Sequence, residues 1–414
     1  MQKTVIALAI AGAGLGTAPA FADSNVTIYG VVDYGYMIRS GDSGLQKGDN
    51  GNCKAKATDS AGAALAATAG CSKSEFASGI STPSRLGFKG SEDLGNGTKV
   101  IFELEAGFLA DAGTNSVPGP NGAVPGSGPV FRRHSWVGLT GDWGTVLGGR
   151  VDGARYGVVG RYDPFEQGGV GNAASLAIHA TRADNAIAYV TPNVQGLYAI
   201  LAYTSSLIGQ EATYNTGDAR LWVIQPNYVQ GPLSVTLNYE HATLHNNPAD
   251  VKVNIYVGGA SYDFGVAKLT GYYEHVKINS SVGELCVATA PGVSPAGGSI
   301  EGVFGPGCGY DDDRMWLIGG VVPITENDKI RASYVDYTDN SPAKDSCRKW
   351  GIGALHFLSK RTNLYIDVAT LTQRDNGHCT IQPTPTNSSQ DAGFGSNEVG
   401  VGTRGYDLGI VHRF

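Results

Sequence analysis

Arg404-Gly405-Tyr406-Asp407-Leu408-Gly409-Ile410-Val411-His412-Arg413-Phe414 ends the sequence, and its alternation decides the fold. Successive side chains of a strand point to opposite sides. Tyr406, Leu408, Ile410, His412 and Phe414 therefore share one face, and Asp407, Gly409, Val411 and Arg413 share the other. The first face suits an oily surrounding and the second a wet one. A closed membrane barrel uses such a strand, because its first and last strands must pair to remove both sheet edges.

The other end of the sequence carries Lys3, an apolar run from Thr4 to Leu15, and the small-x-small site Ala20-Phe21-Ala22. This pattern predicts a secretory leader over 1–22 and one mature unit over 23–414. Its removal takes one lysine and no acid, so the formal net charge of -7 becomes -8, and no basic excess points to nucleic acid. The remaining chain exceeds the roughly 250–300 residues at which one soluble core stops growing. Glycine, at 60 of 414 residues, is about twice its usual ~7%, and charged residues are 16% against a usual ~25%. The 20 tyrosines suit the aromatic girdles of a membrane boundary. Past the leader no apolar run reaches the length of a transmembrane helix, so a closed barrel is the spanning structure left.

Alternating segments recur from Asn25 onward. Val26, Ile28, Val32 and Tyr34 oppose Thr27, Tyr29 and Asp33, and Leu233, Val235, Leu237 and Tyr239 oppose Ser234, Thr236, Asn238 and Glu240. Strands are expected at 25–38, 84–90, 98–110, 131–140, 143–152, 184–191, 197–205, 219–229, 232–243, 251–263, 265–278, 313–323, 327–339, 348–358, 361–374 and 399–414. Short turns alternate with long loops, near 39–83, 111–130, 153–183, 279–312 and 375–398. The fold class is thus all-β, a 16-stranded antiparallel transmembrane barrel. The six cysteines lie outside the alternating runs, and no Cys-x-x-Cys metal spacing occurs. Fifteen connectivities are open to six cysteines; proximity favours Cys53 with Cys71, Cys286 with Cys308, and Cys347 with Cys379 as loop disulfides.

Four stretches carry a resemblance. Ser84-Arg85-Leu86-Gly87-Phe88-Lys89-Gly90-Ser91-Glu92-Asp93-Leu94-Gly95-Asn96-Gly97 resembles the second strand and first turn of the Gram-negative general diffusion porins. Phe131 to Leu139 with Trp143 to Arg150 is similar to the strand pair before that family's third loop, and Asn25–Asp33 and Phe414 resemble its two ends. The resemblance implies a homotrimer in the bacterial outer membrane whose third loop, here 153–181, folds inward and narrows the channel. Its acidic tip would be Asp163-Pro164-Phe165-Glu166-Gln167-Gly168, in which Phe165 and Glu166 are exchanged relative to the family's Pro-Glu-Phe-x-Gly. Pro164 and the glycines at 168, 169 and 171 suit a backbone that turns back on itself.

Arg85, Lys89, Arg133 and Arg150 each oppose an apolar row: Leu86 and Phe88, His134 and Trp136, Leu147 and Val151. An arginine facing lipid at mid-depth costs roughly 2–4 kcal/mol, so all four are expected in the lumen. With Asp163 and Glu166 they make the predicted constriction, four cations to two acids, which implies a mild anion preference. Glu103, Glu105 and Asp33 share that lumen face, as do Asp152 and Arg150, and Tyr29, Tyr256 and Tyr272 are inward candidates. Other signals are weaker. Gly41-Asp42-Ser43-Gly44 lacks a preceding histidine, Gly400 to Gly405 lacks a following helix, and Asp311-Asp312-Asp313 reads as a charged rim. The expected function is passive diffusion of small hydrophilic solutes and ions, with no reaction, cofactor or metal, and with membrane lipids and lipopolysaccharide as partners.

Overall fold

The computed structural model describes residues 25–41, 72–111, 113, 130–173, 175–176, 181–207, 219–244, 251–280, 312–340, 344–375, 379–381 and 402–414. The expected leader lies outside them, as do Cys53, Cys71, Cys286 and Cys308.

The strands are β1 (Asn25–Ser40), β2 (Ser72–Ser78), β3 (Arg85–Gly95), β4 (Thr98–Gly107), β5 (His134–Gly141) and β6 (Gly144–Asp152), followed by helix α1 (Ala154–Tyr162). Then come β7 (Arg182–Val190), β8 (Leu197–Thr204), β9 (Ala219–Gln230), β10 (Leu233–Leu244), β11 (Val251–Asp263), β12 (Lys268–Ser280), β13 (Asp312–Pro323), β14 (Asp328–Asp339), β15 (Asp345–Phe357), β16 (Thr362–Asp375) and β17 (Arg404–Arg413). Each pairs antiparallel with its neighbours, and β1 pairs with β17, which closes the ring. Every expected segment is a strand with ends shifted by a few residues, and the expected first long loop contains one more. Ser72–Ser78 pairs with Tyr34–Ser40, and Arg85–Ser91 with Asn25–Val31, so β2 and β3 are two pieces of one stave and the barrel has sixteen. The sequence hides β2 because Phe76 is its one large apolar side chain.

Asp33 causes the break between the two pieces. Its carboxylate accepts the Ser81 and Thr82 amides at 2.6 and 2.7 Å, which pulls Gly79–Ser84 out of the ladder and over the inner wall. Tyr365 on β16 donates to the same carboxylate at 2.9 Å.

Apolar side chains cover the outer face, as in Val26, Ile28, Ile187, Leu237, Ile318, Ile352 and Leu408. A second apolar set lies inside: Val253, Ile255 and Val257 of β11 with Met315, Leu317 and Val335 pack with Val158, Val159 and Tyr162 of α1. This inner patch seats the helix, and it corrects three expectations. Tyr256, opposite that row on β11, is outward and exposed, next to Tyr239 at 5.3 Å. Leu147 and Val151 are buried in the inner cluster rather than turned to lipid. Cys347 lies within β15, fully buried, and is disulfide-bonded to Cys379 as proximity favoured.

Candidate pore constriction

The third loop leaves β6 at Gly153 and crosses the lumen. The α1 backbone begins on Glu240, whose carboxylate accepts the Arg155 amide at 3.0 Å, while the Arg155 guanidinium meets Glu274 at 3.1 Å. Arg161 donates to Asn227 and Thr236, both at 3.0 Å, and Tyr162 donates to Thr236 at 2.9 Å. Past the helix, Asp163 is buried and accepts the amides of Phe165, Gln167 and Ala173 at 3.0, 3.2 and 2.9 Å. Burial holds this carboxyl above the ordinary carboxylate range, against those amides and the charge of Lys349. Glu166 and Gln167 take left-handed φ of 53° and 67°, the sharp tip of the loop. Three tethers then fix the descending part. Gly169 donates to the Ile80 carbonyl at 2.6 Å, Val170 donates to the Asp407 carboxylate at 2.6 Å, and Lys349 donates to the Asn172 carbonyl at 2.6 Å. The expected inward third loop is therefore present.

The facing wall is built by β1, β3, β4, β5 and β17. Val31 is the direct partner of both Arg413 and Arg85, which places the two guanidiniums on one inward row. Lys89 lies over the Tyr29 ring at 5.2 Å. Behind these, Glu105 meets Arg133 at 2.5 Å and Arg85 at 3.4 Å, and Tyr29 donates to Glu103 and Glu105 at 2.5 and 2.9 Å. His134 bridges Glu103 at 2.8 Å and Asp152 at 3.0 Å, and Arg182 meets Asp152 at 2.7 Å.

The six expected constriction residues separate into three groups. Arg85, Lys89 and Glu166 reach the lumen water. Arg133 and Asp163 lie inside the barrel but are buried, at 4% exposure each, with their charges engaged by Glu105 and by backbone amides. Arg150 is elsewhere: it pairs across from Ser135, on the β5 face that carries exposed Val137 and Leu139, and its guanidinium is held by Asp184 and the Arg132 carbonyl. His134 and Trp136, expected toward lipid, line the inner side instead. Arg133 precedes the first β5 residue, so alternation along that strand does not govern it. Arg413 was legible as a wet-face residue but not as a constriction residue; it lies within electrostatic range of Glu166, Arg85 and Asp33.

Glu103, Glu105 and His134 offer ligand atoms within 4.8 Å of one another, the strongest metal-like group among the described residues. Arg133, Arg85 and the Tyr29 hydroxyl already occupy the carboxylates, so a cation would have to displace a guanidinium.

An apolar outer wall, a charged inner wall and a lumen narrowed by the chain's own third loop define a water-filled outer-membrane channel. The chain belongs to the Gram-negative porin family, whose model matches residues 4–376. It is 28% identical to outer membrane porin protein 32 of Delftia acidovorans over the full length of both chains. It is also 28% identical to an outer membrane porin protein of Bordetella pertussis, over 88% of this chain and 93% of that one. Among solved structures it is similar to the anion-selective porin from Comamonas acidovorans, with a TM-score of 0.69 and 26% identity over 95% of this chain and all of that one. It is a passive outer-membrane channel for small solutes.

Proposed function

We propose that this porin is a general diffusion pore, catalysing no reaction, with a preference for anions set by Arg85, Lys89 and Arg413 across from Glu166. The observation that carries the reading is the shared Val31 partnership of Arg85 and Arg413. It sets the two arginines at one level of the wet wall, one on each side of Val31, with Lys89 further along β3. At physiological salt, ions respond mainly to charges within about 8 Å, so this cluster outweighs the chain's overall negative charge. Anion selectivity in the similar Comamonas porin supports the reading. The same reading takes the protein as a homotrimer of mature chains from residue 23, in contact with membrane lipids and lipopolysaccharide. The outward surface of β1 and β3, with Val26, Ile28 and Leu86, offers an uncharged face for subunit packing.

Reversal potentials of single channels in a planar bilayer under a potassium chloride gradient test the selectivity. The wild type is expected to favour chloride, and the double variant Arg85→Gln/Lys89→Gln to lose most of that preference. A wild type that favours potassium defeats the reading.

A further inference from the structure

A second segment of chain lies against the inner wall beside the third loop. β16 ends at Asp375, and past it Cys379, Thr380 and Ile381 are back inside the barrel. The Cys379 amide donates to the side-chain oxygen of Gln373 at 3.1 Å, and the Gln373 side-chain amide donates to the Cys379 carbonyl at 2.6 Å. The Ile381 amide donates to the Gly402 carbonyl at 3.0 Å, just ahead of β17. Ile381 is fully buried and Thr380 nearly so. Cys347, on the inner face of β15 and directly across from Gln373, is bonded to Cys379.

This segment meets the third loop. A Cβ on Gly405 would fall 2.7 Å from the Ile381 side chain and 2.7 Å from that of Val170, so these two side chains share the space that the glycine leaves open. Val170 is fully buried there, and its amide is the one held by Asp407. Lys349, two residues along β15 from Cys347 on the same face, donates to the Asn172 carbonyl at 2.6 Å and to the Ser175 hydroxyl at 2.7 Å. The descending limb of the third loop is thus tied by Asp407 and Lys349 and flanked by Ile381. Residues 379–381 lose chain entropy by lying inward and gain few backbone bonds for it. A covalent link over a sequence separation of 32 removes many of the alternatives open to the free loop and tips that balance. A bridge that only shortened the last loop could join its two flanking strands, β16 and β17. This one reaches past them to β15, next to the lysine that anchors the third loop.

We propose that Cys347, Cys379 and Ile381 are positioning residues of the channel: the disulfide clamps the last loop beside Val170 and so steadies the third loop against β15–β17, and the narrowed pore depends on the oxidised bridge. Opening the clamp is a thiol–disulfide exchange. A thiolate of an external dithiol attacks the Cys379 sulfur, the S–S bond breaks, and Cys347 leaves as a thiolate that takes a proton from water. The second thiol of the reagent then displaces Cys379 and closes its own disulfide, so the protein gains two electrons and two protons and the dithiol loses them. The clamp does not rest on the ion preference of the pore.

Single-channel recording of the intact protein in a planar bilayer tests it, with dithiothreitol as the reductant and alkylation followed by peptide mass analysis to establish that Cys347 and Cys379 have been reduced. Reduction of the wild type is expected to raise open-channel current noise roughly twofold or more as the third loop opens locally, and reoxidation to reverse it. The variant Cys347→Ala/Cys379→Ala should show the raised noise from the start and gain no more from dithiothreitol, which separates this bridge from the other four cysteines. Ile381→Ala, with the bridge intact, should give part of the rise, and Ile381→Val should restore the quiet channel. A cysteine variant as quiet as the wild type overturns the proposal, as does an equal response of variant and wild type to dithiothreitol, or an Ile381→Ala channel indistinguishable from wild type. Heat-modifiable electrophoretic mobility reports folding; if the cysteine variant does not fold, the reduced wild type and the two Ile381 variants decide by the same criteria.

Discussion

Arg85 and Arg413 are both cross-strand partners of Val31, one from each side, so the closure of the barrel sets two guanidiniums on one row of the inner wall. β1 lies between their strands, so the two guanidiniums flank Val31 rather than face each other directly. Arg413→Gln is expected to shift the reversal potential toward cations about as far as Arg85→Gln does. It should also lower barrel stability by a few tenths of a kcal/mol, because the attraction of Arg413 to Glu166 outweighs its repulsion by Arg85 and its hydrogen bond to Asn363 is lost. Bilayer recording and thermal unfolding check the two parts; a potential unchanged by Arg413→Gln would remove that residue from the constriction.

Arg133 makes the opposite case. It is buried against Glu105 at 2.5 Å, so its charge is largely spent inside the protein. Arg133→Gln should move selectivity much less than Lys89→Gln, yet cost stability on the order of 3–5 kcal/mol, because Glu105 loses its nearest cation. A large selectivity change with unchanged thermal unfolding contradicts this ranking.

Val170 donates to Asp407 at 2.6 Å, tying the third loop to the closing strand. Removal of the acceptor in Asp407→Ala leaves that buried amide without its partner, at a cost of about 1–3 kcal/mol. The loop should loosen from the wall, seen as changed single-channel conductance and faster current fluctuations. Identical traces for variant and wild type would show that the remaining tethers are sufficient.

Gly259 of β11 lies beneath the Tyr162 ring, where an added Cβ would come 2.2 Å from a ring carbon. Gly259→Val should therefore push α1 off its seat and alter conductance, and Tyr162→Ala in the same chain should restore much of it. A double variant no closer to wild type than the single one would mean that the helix is placed by other contacts.

Burial keeps the carboxyl of Asp163 above the ordinary range, so the folded loop binds this proton more tightly than the unfolded chain does. The associated stabilisation is fully present below the unfolded carboxylate value of about 3.9 and is lost as pH rises through the raised folded value. Acidification from neutral pH should quieten loop-dependent current noise in the wild type, and Asp163→Asn should abolish that dependence. Noise that rises on acidification in the wild type alone reverses the sign and rejects the account.

Alternation alone was enough to find sixteen staves, because lipid on one side and water on the other impose a two-residue period that few other environments impose over so many segments. It also oriented β1, β3, β10 and β17, whose outward rows Val26 and Ile28, Leu86 and Phe88, Leu237 and Tyr239, and Leu408 and Ile410 are apolar. The inward third loop was legible through the family resemblance of its flanks, since glycines and a proline permit an inward turn without requiring one. Where that loop docks, the rule failed. Val253, Ile255 and Val257 are apolar and inward because α1 covers them, and Trp136 and Leu147 on β5 and β6 also turn to the inner cluster, so apolar no longer means lipid-facing and Tyr256 was assigned to the wrong side. Alternation fixes the relative phase of neighbours and leaves the absolute face to whatever packs against the strand. The sequence by itself determined the barrel and its wet and oily faces. Only the tertiary structure decided which charges reach the pore: Arg413 joins Arg85 through ring closure, Arg133 is neutralised by Glu105, and Arg150 is drawn away to Asp184. Each of these depends on side chains far apart in the chain meeting across strands, and no local period encodes such a meeting.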